Sequence, residues 1–366
     1  MLHLKTKLTE LNDALQTNNE NVEITPFPKK VRDLHKTMKI HFQDGDSDIF
    51  ELDYHGMGTR SWASLLAFKA FVSWENSANN PIPKEPYFPL LALEEPESHL
   101  HPNAQRQLYK QLKSIEGQKI ISTHSPYIVG LADLTEIRYF CKPNDEVKVS
   151  NIDLSGFQKS EIMSAKHEIL KSKGEILFSK IAILTEGPTE EIVLSILARK
   201  FFGFDPFEFG VNIIGCGGNN YHLLLKIFKS LNIQWFIFSD YDKDNIKKGV
   251  RNALKGIGID DISTCSEAIC LGESIENHLV TEGYQHELKQ GILKTKEPFP
   301  DPRFEAAQIT TITGWSNDDL KKELKENKTF YASYYAEAIS EILDENRRFP
   351  PKIKQLFEAI DSKLRQ

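Results

Sequence analysis

A mixed α/β protein built round a parallel sheet is what this sequence predicts, on two observations. From about residue 176, short apolar runs alternate strictly with helix-patterned stretches. Ile181-Ala-Ile-Leu, Val211-Asn-Ile-Ile, Trp235-Phe-Ile-Phe and Ala268-Ile-Cys-Leu each precede such a stretch. This alternation marks parallel strands covered by helices on both faces, with the chemistry beyond the carboxyl ends of the strands. The composition agrees: 366 residues, 40% hydrophobic and 27% charged, leave room for packed cores and exclude a disordered chain.

The elements follow in order. Leu4, Leu8, Leu11 and Leu15 are spaced as in a helix over 1–20. Residues 38–54 alternate as a hairpin turning at Asp44-Gly45-Asp46. A helix is expected over 60–75, then a loop rich in Pro and Asn from Asn79 to Pro86. Leu90-Leu-Ala-Leu reads as a buried strand, 102–116 as a helix opened by Pro102, and Lys119-Ile-Ile-Ser as another strand. In the alternating region, helices are expected near 188–201, 219–230, 245–255 and 274–281. Residues 283–366 read as loop and helices, the last opened by Pro350-Pro351. The expected organisation is a first lobe over 1–150, a polar linker over 151–175, a parallel-sheet domain over 176–285 and a helical part over 286–366.

No apolar run approaches the ~18 residues of a membrane helix. The N-terminus lacks a secretory apolar core, and Cys141, Cys216, Cys265 and Cys270 form no CxxC pair. A reducing cytoplasm is the expected compartment, with no membrane partner and no zinc knuckle. The net charge of −7 argues against a dedicated basic nucleic-acid coat. It leaves open carboxylates that hold metal ions against phosphates.

Carboxylates recur at the strand ends. The run Leu90–Leu93 leads into Glu94-Glu95-Pro-Glu97 and Ser98-His-Leu-His-Pro102, and the next strand into Ser122-Thr-His124. Acids at one strand end can hold Mg²⁺ and orient a water, while a histidine at the neighbouring end can reach a γ-phosphate. Further on, Ile181–Leu184 ends in Thr185-Glu186-Gly187-Pro188-Thr189-Glu190-Glu191. Gly187 is expected to permit a sharp turn, and the acids suit the first helical turn. Taken alone, such an acidic helix start is common. Trp235–Phe238 ends in Ser239-Asp240-Tyr241-Asp242, where 240 and 242 share a face if the strand continues. Ala268–Leu271 is followed by Gly272-Glu273-Ser-Ile-Glu276. Like charges ~4 Å apart cost about 4 kcal/mol at an effective dielectric of 20, so converging acids need protons or cations. Oxygen donors without His or Cys suit Mg²⁺ or Mn²⁺.

The first set resembles the SMC-like branch of the ABC ATPases. Leu91-Ala-Leu-Glu94-Glu95 looks like Walker B, with Glu94 at the metal position and Glu95 at that of the base. Ser98–Pro102 looks like the D-loop and His124 like the switch histidine. Tyr54-His-Gly56-Met-Gly58-Thr-Arg60 stands at the signature loop, with His55 where Ser is usual. No G-x-x-x-x-G-K-[ST] occurs in the 366 residues, so ATP is expected only with a Walker A supplied elsewhere. A truncated or separate N-terminal ATPase half, a second polypeptide and a scaffold lobe all fit that departure.

The second set, Glu186 with Asp240-x-Asp242, resembles the Toprim domain. The order of both sets resembles the OLD (overcoming lysogenization defect) nucleases, which include the nuclease subunit of the Gabija antiphage system. That resemblance implies Glu190 as a second glutamate, Glu276 as a later acid and Lys328 as a catalytic lysine, with Glu273 and Lys325 as rivals for the last two roles. It implies one divalent ion on Glu190, Asp240 and Asp242, a second helped by Glu186 and Glu276, and Lys328 stabilising transition-state charge. The expected function is a metal-dependent DNA endonuclease in antiphage defence, regulated by an ATPase module and working as a homo-oligomer with or without a second defence protein. The rivals are an RNA-cleaving or primase-type Toprim enzyme and a non-catalytic ATPase-like scaffold.

Other motifs carry two readings. Gly215-Cys216-Gly217-Gly218 is a tight turn or a phosphate cradle, with Cys216 not expected as a nucleophile. Lys243, Lys247, Lys248 and Arg251 form a solvated face or a phosphate track. Phe201, Phe202, Phe204, Phe207 and Phe209 are expected in the core.

Overall fold

The computed structural model describes residues 22–26, 38–42, 50–51, 56–76, 90–142, 146–171, 174–217 and 221–365. The chain divides into two compact units, residues 1–132 and 133–366.

In the first unit, β1 (Val22–Pro26), β2 (Met38–Phe42) and β3 (Phe50–Glu51) form an antiparallel sheet in that order. The expected hairpin is present, with Phe42 opposite Phe50. Its turn at 44–46, the expected helix over 1–20 and the loop from 79 to 86 lie outside the described residues. Helix α1 (Met57–Glu75) is followed by β4 (Leu90–Glu94), α2 (Pro102–Ser114), β5 (Gln118–Ser122) and α3 (Pro126–Leu131). β4 and β5 are parallel, joined by α2 as crossover. Pro102 opens α2 as expected, and the His101 side chain caps it by accepting from the Asn103 N–H. Trp62, Leu66, Leu108, Leu112 and Ile128 bring the three helices into one apolar cluster, which Leu91, Leu93 and Ile121 join from the strands. The expectation of a fully buried strand at 90–93 is not met. Leu90 is 64% exposed and Ile120 57%, because alternate residues face away from that cluster.

The second unit begins with the antiparallel pair β6 (Arg138–Cys141) and β7 (Lys148–Asn151), followed by α4 (Lys159–Lys171). Then come β8 (Ile181–Thr185), α5 (Pro188–Phe202), β9 (Val211–Gly215), α6 (Tyr221–Leu231), β10 (Gln234–Ser239), α7 (Asp244–Gly256), β11 (Ala268–Cys270) and α8 (Ile275–Thr281). The stretch read as a polar linker contains α4, whose Glu161 lies 3.2 Å from His222 and 3.6 Å from Lys226 of α6. Its polarity reflects an exposed helical face rather than an unstructured connection.

The four later strands form one parallel sheet in the order β11-β10-β8-β9. Every residue of β8 is buried, as a central parallel strand requires. Ile181, Ile183, Ile213, Phe236, Phe238 and Ile269 belong to the core on one face. Ala182, Leu184 and Ile237, alternate residues of the same strands, are also buried, so the opposite face is covered as well.

Five further helices complete the core: α9 (Gln285–Lys294), α10 (Pro302–Thr313), α11 (Asn317–Glu326), α12 (Lys328–Ser340) and α13 (Pro351–Leu364). Their apolar residues recur at helical spacing, as in Ile353, Leu356, Phe357 and Ile360, and share one cluster with the sheet. Fully burying one such side chain contributes roughly 1.5–3 kcal/mol. Phe201 and Phe202 pack on Phe357 at ring-centroid distances of 5.3 and 5.8 Å. Phe207 and Phe209 depart from the core expectation. They are 44% and 46% exposed, on a short 3₁₀ turn that buries Pro206 instead.

Helix α12 lies against α9 at Gly291, where an added Cβ would stand 2.6 Å from the Tyr335 backbone N and 2.7 Å from its Cα. Backbone cannot retreat as a flexible side chain can. Gly291→Ala is therefore expected to cost about 1–3 kcal/mol by overpacking, and more if α12 is displaced. Chemical denaturation of both proteins measures it, and unchanged stability would mean the two helices have room to separate.

Candidate metal centre

The order of the sheet fixes where the site lies. β9 follows β8 in sequence and lies on one side of it, whereas β10 lies on the other. The chain therefore reverses its winding between β8 and β10, and the crevice beyond their carboxyl ends is the topological switch point. Glu186 follows the end of β8, while Asp240 and Asp242 follow the end of β10. One carboxylate oxygen from each lies within 4.8 Å of the others.

Asp240 is buried, and its Oδ1 accepts the Ile275 N–H at 2.9 Å. Its backbone carbonyl accepts the Gly272 N–H at 2.8 Å. The strand does not continue through the motif. β10 ends at Ser239, and Tyr241 adopts a left-handed conformation with φ 51°. Asp240 and Asp242 thus meet through a sharp turn, not through strand alternation. Gly187 is extended, with φ −158°, so the turn after β8 does not draw on glycine's left-handed freedom.

The remaining predicted residues lie around this trio. Glu190, in the first turn of α5, is buried and its Oε2 accepts the Gly187 N–H at 2.9 Å. Glu276, in the first turn of α8, is also buried. Its Oε2 lies 3.1 Å from the Lys328 ammonium, which opens α12. Thr189 and Thr329 hydroxyls, 3.2 Å apart, join the starts of α5 and α12. Of the two rival pairs, Glu276 and Lys328 are the ones at the carboxylates. Glu273 lies instead 3.9 Å from His278, and Lys325 is exposed on α11.

The electrostatics follow from burial and crowding. Two full charges 4.8 Å apart repel by about 3.5 kcal/mol at an effective dielectric of 20. Burial first, then the Glu190, Glu186 and Glu276 charges, push the Asp240 carboxyl up to about 8. Burial lifts Glu190 to about 7 against the hydrogen bonds it accepts. Glu186 is raised by burial, with Lys243, 4.0 Å away, opposing the rise. Burial works to lower Lys328, but Glu276, Asp240 and Glu190 outweigh it and hold the ammonium charged.

The donor set fits a hard divalent cation. Glu186 Oε2, Asp242 Oδ1 and both Glu276 oxygens are buried without a hydrogen-bond donor. For Glu276 Oε2, the Lys328 contact is an ion pair without aligned hydrogen-bond geometry. Buried carboxylate oxygens left without donors are costly, and a cation is the chemistry that satisfies them.

Three tyrosines escaped the sequence reading. Tyr335 is fully buried with an unpartnered hydroxyl, and burial with the Glu276, Glu190 and Asp240 charges raises its pKa well above the usual value. Its position seven residues after Lys328, hence on the same helical face, is the signal that could have found it. Tyr221, also fully buried, is raised by burial and then by Cys216. Tyr241 carries the turn between the two aspartates. Cys216 is buried, and residues 218–220 of the glycine motif lie outside the described residues.

In the first unit, Glu94 ends β4 opposite Ser122 of β5. The following Glu95 has φ 41°, and its Oε1 lies 3.3 Å from His124 Nε2. Both side chains are open to solvent. Glu97 does a different job: buried, it accepts from the Thr123 hydroxyl and, at 3.2 Å, from the His124 N–H. It ties the two strand-end loops together. Gly58 packs on the second half of the acidic motif, since an added Cβ would stand 2.9 Å from the His99 carbonyl.

Comparison with known proteins assigns the two regions. Residues 177–242 match the family described as "Overcoming lysogenization defect protein-like, TOPRIM domain". The chain carries an OLD-like TOPRIM domain. Glu186, Glu190, Asp240 and Asp242 fall within its matched residues, and Glu276 and Lys328 lie beyond them. Residues 2–129 match an AAA ATPase domain. The uncharacterized protein YbjD of Escherichia coli (strain K12) is 25% identical over 155 residues, which are 42% of this chain and 28% of YbjD. The chain thus spans about a quarter of that relative. Among solved structures, the C-terminal region of the Xanthomonas campestris pv. campestris OLD protein is similar at 20% identity and a TM-score of 0.41, over 52% of this chain and 97% of that one. For the Burkholderia pseudomallei OLD C-terminal region the values are 17%, 0.39, 51% and 99%. Among the described residues, no helix is long and apolar enough to cross a membrane.

A pH dependence follows for the TOPRIM unit. Asp240 and Glu190 have folded pKa values above those of the unfolded chain. Their protons stabilise the fold fully below about pH 4, and that stabilisation is lost as pH rises through 7 to 8. In EDTA, Tm is expected to fall by about 3 °C or more between pH 5.5 and 8.5. Mn²⁺ is expected to raise Tm more at the higher pH, and Asp240→Asn to flatten both trends. Thermal unfolding of the two proteins tests it. Equal pH trends for both would mean that Asp240 does not govern them.

Proposed function

We propose that this chain is a metal-dependent nuclease that hydrolyses DNA phosphodiesters at the Glu186–Asp240–Asp242 centre. The observation that carries the reading is the set of donorless, buried carboxylate oxygens at the switch point. Glu186, Asp240 and Asp242, with Glu190 and Glu276, are the residues that would hold Mg²⁺ or Mn²⁺. Two such ions, when bound, supply an activated water and stabilise the leaving 3′-oxygen.

The chain's own groups do the rest. Lys328, kept protonated by the surrounding acids, neutralises charge gathering on the phosphoryl oxygens. Its ion pair with Glu276 aims the ammonium into the centre before substrate arrives. The Thr189–Thr329 contact and the Gly291 crossing hold α12, and so Lys328, in place. The ATPase-type unit is the regulator in this reading. Glu94, Glu95 and His124 would serve a nucleotide whose phosphates are cradled by a Walker A outside this sequence. A role in antiphage defence, as a homo-oligomer with or without a second defence protein, belongs to the same proposal.

Supercoiled plasmid and single-stranded RNA incubated with Mg²⁺ or Mn²⁺, with and without ATP, test the substrate and the gating. Metal-dependent plasmid nicking is expected. Glu186→Ala and Asp240→Ala are expected to abolish it with circular dichroism unchanged, and Lys328→Ala to slow it roughly 10²–10³-fold. Nicking that survives both acidic substitutions would refute the assignment, and cleavage confined to RNA would refute the DNA substrate.

A further inference from the structure

Helix α7 leaves the centre directly after Asp242 and carries an unusual stripe. Lys243, Lys247, Arg251 and Lys255 recur at every fourth residue and share one face. Ile246, Val250, Ala253 and Leu254 bury the adjoining face. Like charges at i and i+4 destabilise a helix by about 0.2–0.5 kcal/mol per pair. Within the helix itself, Asp244 is the single acid. Among the described residues, the one ion pair of the stripe is Lys243 with Glu186, at 4.0 Å. The stripe therefore starts at the carboxylate centre and continues outward with its charges uncompensated.

Tyr241 joins the two. It sits in the left-handed turn between Asp240 and Asp242. Its hydroxyl accepts from Arg251 Nε at 2.8 Å, and its ring lies 5.7 Å from the Arg251 guanidinium and 5.9 Å from the Lys247 ammonium. Two of the stripe side chains, Lys247 and Arg251, thus pack on the residue that sets the turn between the two aspartates. From Lys243 to Lys255 the helix advances ~18 Å, the length over which one strand of B-form duplex presents about five phosphates.

We propose that Lys243, Lys247, Arg251 and Lys255 form a backbone track that leads a nucleic-acid strand to the carboxylate centre without reading its bases. This inference rests on the nuclease reading for its direction, but it concerns strand binding, which is measurable without cleavage. Lysines and arginine on phosphates release counterions and carry no sequence information. DNA and RNA share that backbone chemistry.

The test uses the full chain in EDTA, with fluorescein-labelled 20-nucleotide DNA, its duplex and the matching RNA, read by anisotropy across a salt series. The variant combines Lys247→Gln, Arg251→Gln and Lys255→Gln. The control combines Lys200→Gln, Lys322→Gln and Lys363→Gln, removing the same charge from other exposed positions. The track variant is expected to bind at least about tenfold more weakly at low salt, with a salt slope shallower by roughly two to three. The loss is expected to be equal for probes of different sequence, and the three probes show which strand the track prefers. An unchanged affinity and slope, or an equal loss in the control, overturns the proposal. Failure of plasmid nicking with an intact track effect would instead count against the nuclease reading alone.

Discussion

Mutual repulsion among buried carboxylates is the constraint on which the second unit is organised. Glu186, Asp240 and Asp242 would separate if free to do so. The sheet prevents it, because parallel neighbours β8 and β10 end side by side and deliver them to one crevice. The energy that holds them together comes from elsewhere: a fully buried central strand, and a core that runs from the sheet through the C-terminal helices. Stability gained in the core is thereby spent on a locally unfavourable charge arrangement that a cation can relieve.

That arrangement explains why the C-terminal helices are not an appendage. Lys328 sits where α12 begins, and α12 is positioned by its contact with α9 at Gly291 and by the threonine pair at the start of α5. Small displacements of α12 would move the Lys328 ammonium away from Glu276. The closely packed core and the candidate chemistry are therefore parts of a single mechanical problem. Arg347 adds to it, with a two-pronged contact to the buried Glu287 of α9 at 2.8 and 3.0 Å.

The first unit treats its acids differently. Glu95 and His124 meet in the open, whereas Glu97 is withdrawn to brace the loops carrying them. Exposed acids can keep their charge in water at little cost, so this motif needs no cation to be stable. The contrast separates a strand-end motif that stays solvated from one in which several carboxylate oxygens are buried without donors.

The strand–helix order, the placement of acids at strand ends and the helical character of 286–366 are legible along the chain, because apolar periodicity and turn residues are local signals. Its motif spacing also singled out Glu186, Asp240 and Asp242. The left-handed turn at Tyr241, the exposure of Leu90, the tie of α4 to α6 and the presence of Tyr335 at the acids were decided only in three dimensions. Each depends on what lies across a gap in sequence. Glu276 against Glu273, and Lys328 against Lys325, shows why: rivals three residues apart look equivalent along the chain, but Glu273 lies in the loop before α8 and Lys325 in the last turn of α11, whereas Glu276 and Lys328 stand in the first turns of α8 and α12 and meet 3.1 Å apart.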